Sequence, residues 1–230
     1  MSDIEIVPSL CVVPIVGLHP DGGCGPFLGT GSFVGEGKFL VTCEHVLSQW
    51  EGSYGISAHE DQPQIYVANT LHRNSNIDLA CLKVDGYEPP YSFPLAEDEE
   101  IILNQHVCAF EYGTTETVAG HINFSPANRM GNVTRIRDLT DRFNGAGDHM
   151  LELSFPALKG ASGAPIITWR PPFKLFGILS QNVARELHPS QVETIEDEGG
   201  NVEEVIKFYL PQGLAINVKH VRGLIGGIET

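Results

Sequence analysis

The sequence predicts an all-β fold, and three observations carry that prediction. Short runs rich in Val, Ile, Leu, Phe and Thr recur between clusters of Gly, Pro, Asn and Asp. Helical periodicity is scarce. A proline-bearing, acidic break at residues 86–100, with Pro89, Pro90 and Pro94, reads as the crossing between two halves. Many short strands at close spacing suggest an antiparallel barrel or sandwich. A chain of 230 residues suits one large all-β domain or two small barrels packed together.

In chain order, strands are expected at residues 11–16, 29–34, 38–42, 64–67 and 79–84 before the break. After it they are expected at 107–110, 150–155, 165–168, 174–179 and 213–216. Each is dense in β-branched or large apolar residues, which suit a pleated, half-buried surface. One helical turn is expected at 45–50, and a short terminal helix at 218–225 that Gly226-Gly227 would stop. Residues 129–148 and 184–201 are polar and irregular and read as surface loops.

Charge narrows the function classes. Fourteen Lys+Arg against 29 Asp+Glu give a net charge of −15, a field that repels phosphate backbones. No nucleic-acid partner and no membrane partner are therefore expected. Much of the excess lies in Glu97-Asp98-Glu99-Glu100 and in residues 193–204. These read as solvated loops, with a preference for basic partners as the sharper reading. No run approaches the roughly 18 apolar residues of a membrane span. The first residues carry acids where a secretory signal carries Lys or Arg, so a cytoplasmic location is expected. The five cysteines are scattered, with no CxxC pair, and read as reduced, mostly buried thiols. There is no HExxH and no EF-hand loop, so no metal and no cofactor are expected.

Three segments carry chemistry. In Lys159-Gly160-Ala161-Ser162-Gly163-Ala164, glycines flank a serine ahead of an apolar strand. Glycines there let the backbone turn sharply and aim amide N–H groups at a developing oxyanion; alone, such a string more often marks a plain turn. In Val41-Thr42-Cys43-Glu44-His45-Val46, a histidine follows a buried-looking strand. Its position singles it out among nine histidines, although a lone histidine is more often structural. In Asn76-Ile77-Asp78-Leu79-Ala80, an aspartate opens a strongly apolar strand. That is either a strand-start aspartate or a carboxylate that accepts a hydrogen bond from an imidazole N–H and fixes its tautomer.

Together, in the order His…Asp…Ser, these motifs resemble the chymotrypsin-like (trypsin-like) serine peptidases, and most nearly the bacterial high-temperature-requirement-type branch. Thr42-Cys43-Glu44-His45-Val46 is similar to the family's T-x-x-H-V. Asp78-Leu79-Ala80-Cys81-Leu82-Lys83 is similar to its D-[IL]-A-x-L-K, and Gly160-Ala161-Ser162-Gly163 to its G-[ND]-S-G. Gly29-Thr30-Gly31-Ser32-Phe33-Val34, Thr117-Val118-Ala119-Gly120-His121-Ile122, Phe176-Gly177-Ile178-Leu179-Ser180 and Gly213-Leu214-Ala215-Ile216 resemble family strands, the second of these a strand of the second barrel. The likeness covers roughly residues 10–225.

The resemblance implies two six-stranded antiparallel β-barrels with a short C-terminal helix, residues 1–95 forming the first and 96–230 the second. It implies a serine endopeptidase with His45 as general base, Asp78 as its orienting carboxylate and Ser162 as nucleophile. The N–H groups of Gly160 and Ser162 would form the oxyanion hole. Phe155, Pro156 and Ala157 would line the primary pocket, and Ser180, Gln181 and Asn182 would pair with substrate backbone. No acid lies in residues 154–158, so a small or medium apolar side chain is expected before the scissile bond. Ala161 stands where secreted digestive relatives carry an aspartate, which implies that no zymogen cut is needed. The expected partners are a protein or peptide substrate and a dedicated regulatory protein. The alternative is a catalytically silent trypsin-like fold acting as a protein-binding module.

Overall fold

The apolar runs become strands that curl until their ladders close. The structure, a computed structural model, describes residues 7–36, 38–58, 64–139, 148–197 and 200–228. A 3₁₀ turn at Pro8–Cys11 leads into β1 (Val12–Leu18), β2 (Cys24–Val34) and β3 (Phe39–Cys43). Helix α1 (Glu44–Ser48) follows, then β4 (Ser53–Ala58), β5 (Gln64–Asn74) and β6 (Leu79–Val84). These six strands close antiparallel in the order β1-β2-β3-β6-β5-β4.

The second half contains β7 (His106–Glu111), β8 (Glu116–Val118), β9 (His121–Asn123), β10 (Ala127–Leu139), β11 (Asp148–Leu153), β12 (Pro165–Thr168), β13 (Leu175–Asp197) and β14 (Gly200–Asn217). Six of them close as β10-β11-β14-β13-β12-β7, and β8 pairs only with β9. Closure leaves no long unpaired edge along either barrel. Helix α2 (Val218–Gly226) ends the chain, with the Asn217 side chain accepting the Lys219 N–H as its N-cap. No helix among the described residues is long and apolar enough to cross a membrane.

One apolar cluster runs through both barrels. It includes Phe33, Leu40, Ile56 and Leu82 on the first side and Leu151, Leu153, Ile166 and Phe176 on the second. The connection between halves is pinned to both. Phe93 N–H donates to the Phe33 carbonyl and Leu175 N–H to the Pro94 carbonyl, at 2.9 and 2.8 Å. Short parallel bridges join Val34 to Phe93 and Leu95 to Leu175. The relative placement of the barrels is therefore held by backbone hydrogen bonds as well as by apolar packing.

Three expectations need correction. Residues 129–148 are not mainly loop, since β10 fills most of the described part and pairs with both β7 and β11. Among its described residues Val133 is the one fully buried apolar residue, and Arg129 and Arg137 are half-buried in ion pairs with the buried Glu111 and Glu152, so the strand carries no apolar alternation and its polar sequence hid it. Residues 184–201 are not irregular either. β13 and β14 keep pairing from Gln181↔Leu214 out to Asp197↔Gly200, as a hairpin arm running beyond the barrel ladder. The acidic residues and His188-Pro189-Ser190 in this stretch of sequence hid the pairing. Finally, the 117–122 segment is no barrel strand. Ala119 and Gly120, with φ of 50° and 80°, fold it into the tight β8–β9 hairpin. β4 was not anticipated, because Ser53, Gly55 and Ser57 dilute its apolar pattern. Four of the five free thiols are buried, at Cys11, Cys43, Cys81 and Cys108; Cys24 is exposed.

Candidate active site

The site is assembled where α1 and the start of β6 meet the 158–163 turn and β13. Asp78 organises the first half. It lies just before β6 with φ of 57°, a left-handed conformation that aspartate tolerates better than most residues. There its carbonyl accepts the Glu44 N–H at 3.1 Å and its Oδ1 accepts the His45 N–H at 2.9 Å. Asp78 thus satisfies two of the first N–H groups of α1, which no residue of the helix itself caps. The carboxylate also meets the ring: His45 Nδ1 is 2.8 Å from Oδ2 and 3.0 Å from Oδ1. With Nδ1–H donated to Asp78, Nε2 is left as the basic nitrogen.

Electrostatics follow from these bonds. The hydrogen bond to Asp78 raises the His45 pKa above the usual histidine value; partial burial opposes this, and the Asp78 and Glu44 charges add to it. Burial alone would raise the Asp78 pKa. Hydrogen bonds from the His45 ring, Ser180 and the His45 N–H outweigh it and hold the carboxyl below its usual range.

Ser162 sits in a turn that only glycines allow. Gly160 and Gly163 have φ of 90° and 92°. A Cβ on Gly163 would collide with the Thr30 carbonyl and the Thr42 hydroxyl, so the turn is pressed against β2 and β3. Thr30 and Ser32, both fully buried on β2, reach across to hold it. Thr30 Oγ1 donates to the Gly160 carbonyl at 2.9 Å, and Ser32 Oγ to the Gly163 carbonyl at 2.9 Å. The Thr30 N–H donates to the Ser162 carbonyl at 2.9 Å. The Gly160 and Ser162 N–H groups take no hydrogen-bond partner among the described residues.

Ser180 joins the two halves. It falls at a register shift in β13, between the Leu179↔Ala215 and Gln181↔Leu214 pairs. Its hydroxyl donates to Asp78 Oδ2 at 2.6 Å, and its carbonyl accepts the Ser162 hydroxyl at 3.0 Å. Sequence reasoning gave Ser180 only a role in pairing substrate backbone. The signal for more was a serine closing the apolar run Leu175-Phe176-Gly177-Ile178-Leu179, where a buried hydroxyl needs a partner.

The predicted pocket residues lie beside this network. Phe155 and Ala157 are buried and Pro156 is half-buried, while Gln181 and Asn182 are exposed on β13. Cys43, behind Asp78, is a fully buried thiol whose Sγ donates to the Leu179 carbonyl at 3.2 Å. Cys43, His45 and Asp78 are close enough together to resemble a metal ligand set. The donors do not suit one. Burial holds the Cys43 thiol protonated, and His45 Nδ1 is committed to the carboxylate.

The family described as the trypsin-like peptidase domain matches residues 29–177. The chain belongs to this family. No match was found among curated protein sequences. Among solved structures, the chain is similar to the protease domain of MamO from Magnetospirillum magneticum in its apo form, with a TM-score of 0.61 and 19% identity, covering 95% of this chain and 97% of that one. It is similar to the HtrA-type protease AlgW with a decapeptide, with a TM-score of 0.65 and 15% identity, covering 96% of this chain and 64% of that one. It is also similar to Rv3671c from M. tuberculosis H37Rv, a serine-to-alanine mutant in an inactive form, with a TM-score of 0.60 and 16% identity, covering 96% and 88%. At these identities the likeness carries the trypsin-like peptidase fold.

Proposed function

We propose that this member of the trypsin-like peptidase family is an active serine endopeptidase, with Ser162 as nucleophile, His45 as general base and Asp78 as its orienting carboxylate. The observation that carries the proposal is that one residue, Ser180, bonds to both halves: its hydroxyl donates to the Asp78 carboxylate that holds the His45 ring, and its backbone carbonyl accepts the Ser162 hydroxyl. On this reading the Ser162 hydroxyl exchanges its bond to the Ser180 carbonyl for one to His45 Nε2 when substrate binds. His45 then removes the proton as Ser162 attacks a peptide carbonyl, and returns it to the leaving amine. The oxyanion is held by the Gly160 and Ser162 N–H groups, each such donor contributing about 2.7–4 kcal/mol. Water, activated by the same imidazole, releases the acyl group. The substrate is a protein or peptide.

A second reading, a catalytically silent binding module, is favoured by one observation: the Ser162 hydroxyl bonds to the Ser180 carbonyl and not to the imidazole. A fluorophosphonate probe separates the two. Labelling of the native protein that disappears in Ser162→Ala and falls steeply in His45→Ala supports the peptidase. A native protein that stays unlabelled removes it.

A further inference from the structure

We infer that Asn182 sets the specificity of this site: its carboxamide closes the slot for the side chain preceding the scissile bond, so only glycine, alanine or serine is accepted there. The inference deepens the peptidase reading and rests on it.

On the peptidase reading, the side chain preceding the scissile bond enters between two walls. One is β13 from Ser180, whose carbonyl is 3.0 Å from the Ser162 hydroxyl. The other is the segment from Phe155 to Leu158, which leads directly into the Ser162 turn through the Ala161 N–H bond to the Leu158 carbonyl at 3.0 Å. A substrate side chain must pass between these walls to seat the reacting carbonyl beside Ser162. The Asn182 side chain spans the gap. Its Oδ1 accepts the Ala157 N–H and its Nδ2 donates to the Ala157 carbonyl, both at 2.7 Å. Two bonds of opposite sense fix the plane of the amide across the opening. They also determine which end is oxygen, because only that orientation matches one donor and one acceptor.

The slot is stitched behind the carboxamide as well. Gly213, the ladder partner of Asn182, donates its N–H to the Phe155 carbonyl at 2.7 Å. A Cβ on Gly213 would lie 2.8 Å from that carbonyl oxygen and 3.5 Å from the Ala157 nitrogen. The β14 backbone therefore already rests against the far wall behind the amide. Asn182 is itself exposed, which puts the plug at the mouth of the slot. A large substrate side chain must break both bonds and leave the Ala157 N–H and carbonyl without their partners. At roughly tenfold per hydrogen bond, that predicts up to about 100-fold discrimination.

Two measurements test this. Cleavage of a peptide library by the native protein and by Asn182→Gly reports the preference in turnover. Binding of peptide acids ending in Ala, Leu or Phe to the Ser162→Ala protein, with and without Asn182→Gly, reports it without catalysis. Asn182→Ala serves where the glycine variant does not fold. The expected result is that Ala is preferred over Phe by up to about 100-fold in kcat/KM and in affinity, and that removing the carboxamide brings Leu and Phe to within about tenfold of Ala. Equal binding of the Ala and Phe acids with Asn182 intact overturns the inference. So does a profile unchanged by its removal, or failure of every acid to bind either protein. Selective binding without any turnover leaves the inference standing and removes the peptidase reading.

Discussion

Thr30→Val tests how the oxyanion loop is held in a chain that has alanine at position 161. Valine keeps the shape and β-branching of threonine and deletes only the hydroxyl. That hydroxyl donates to the Gly160 carbonyl at 2.9 Å and accepts the Tyr112 N–H at 3.2 Å, from a fully buried position. Each bond contributes about 0.5–1.5 kcal/mol net, so the variant loses about 1–3 kcal/mol of stability. At about 2–4 °C per kcal/mol for a chain of this size, Tm falls by about 2–12 °C. The catalytic effect is separable from this loss. The Gly160 carbonyl is fixed by Thr30, and freeing it lets the neighbouring Gly160 N–H drift from the oxyanion. Full loss of one such donor costs about 2.7–4 kcal/mol, or roughly 100- to 1000-fold in kcat. Partial misalignment in Thr30→Val is expected to lower kcat by about 10- to 100-fold, with KM nearly unchanged, well below the melting transition. Thr30→Ser should restore most of it. Steady-state kinetics with a peptide substrate, beside a thermal melt, make the comparison. A Thr30→Val protein that melts lower yet keeps its full kcat refutes the positioning argument and leaves Thr30 a structural residue.

Two further predictions follow from the same geometry. The hydrogen bond to Asp78 is the largest cause of the raised His45 pKa, so the native kcat/KM should fall with decreasing pH through a value above about 6.5, where an ordinary histidine titrates. Asp78→Asn is expected to move that acid limb downward and to cut kcat by about 10⁴-fold; a pH–rate profile whose acid limb stays in place would show that Asp78 does not govern the imidazole. Gly163→Ala places a methyl group against the Thr30 carbonyl at a left-handed φ of 92°, so the Ser162 turn should detach from β2. Fluorophosphonate labelling should vanish and the melt should broaden or shift down; unchanged labelling in the alanine variant counts against the close approach.

The chain's own pattern settled more of the strands than of their extent. β6 and β12 coincide with their apolar runs, because a barrel strand there needs no more residues than it buries. β10 and the outer part of β13 and β14 escaped notice because their polar and charged residues interrupt the apolar alternation and pass for loop. His45, Asp78 and Ser162 were legible because strand ends and glycine turns leave marks at fixed spacing. Ser180 and Thr30 left fainter ones, since a buried hydroxyl on a strand gains its meaning only from what lies opposite.

Sequence alone determined the all-β class, the mid-chain crossing, and the imidazole and carboxylate that the fold brings together. Tertiary structure alone decided that Ser180 bridges the two halves, that β2 hydroxyls clamp the Ser162 turn, and that the Asn182 carboxamide bonds to both backbone groups of Ala157. The physical reason is range. Periodicity and turn chemistry act between near neighbours in the chain, whereas Thr30 reaches Gly160 across 130 positions and Ser180 reaches Asp78 across 102. Such pairings exist only once two closed barrels have been packed against each other.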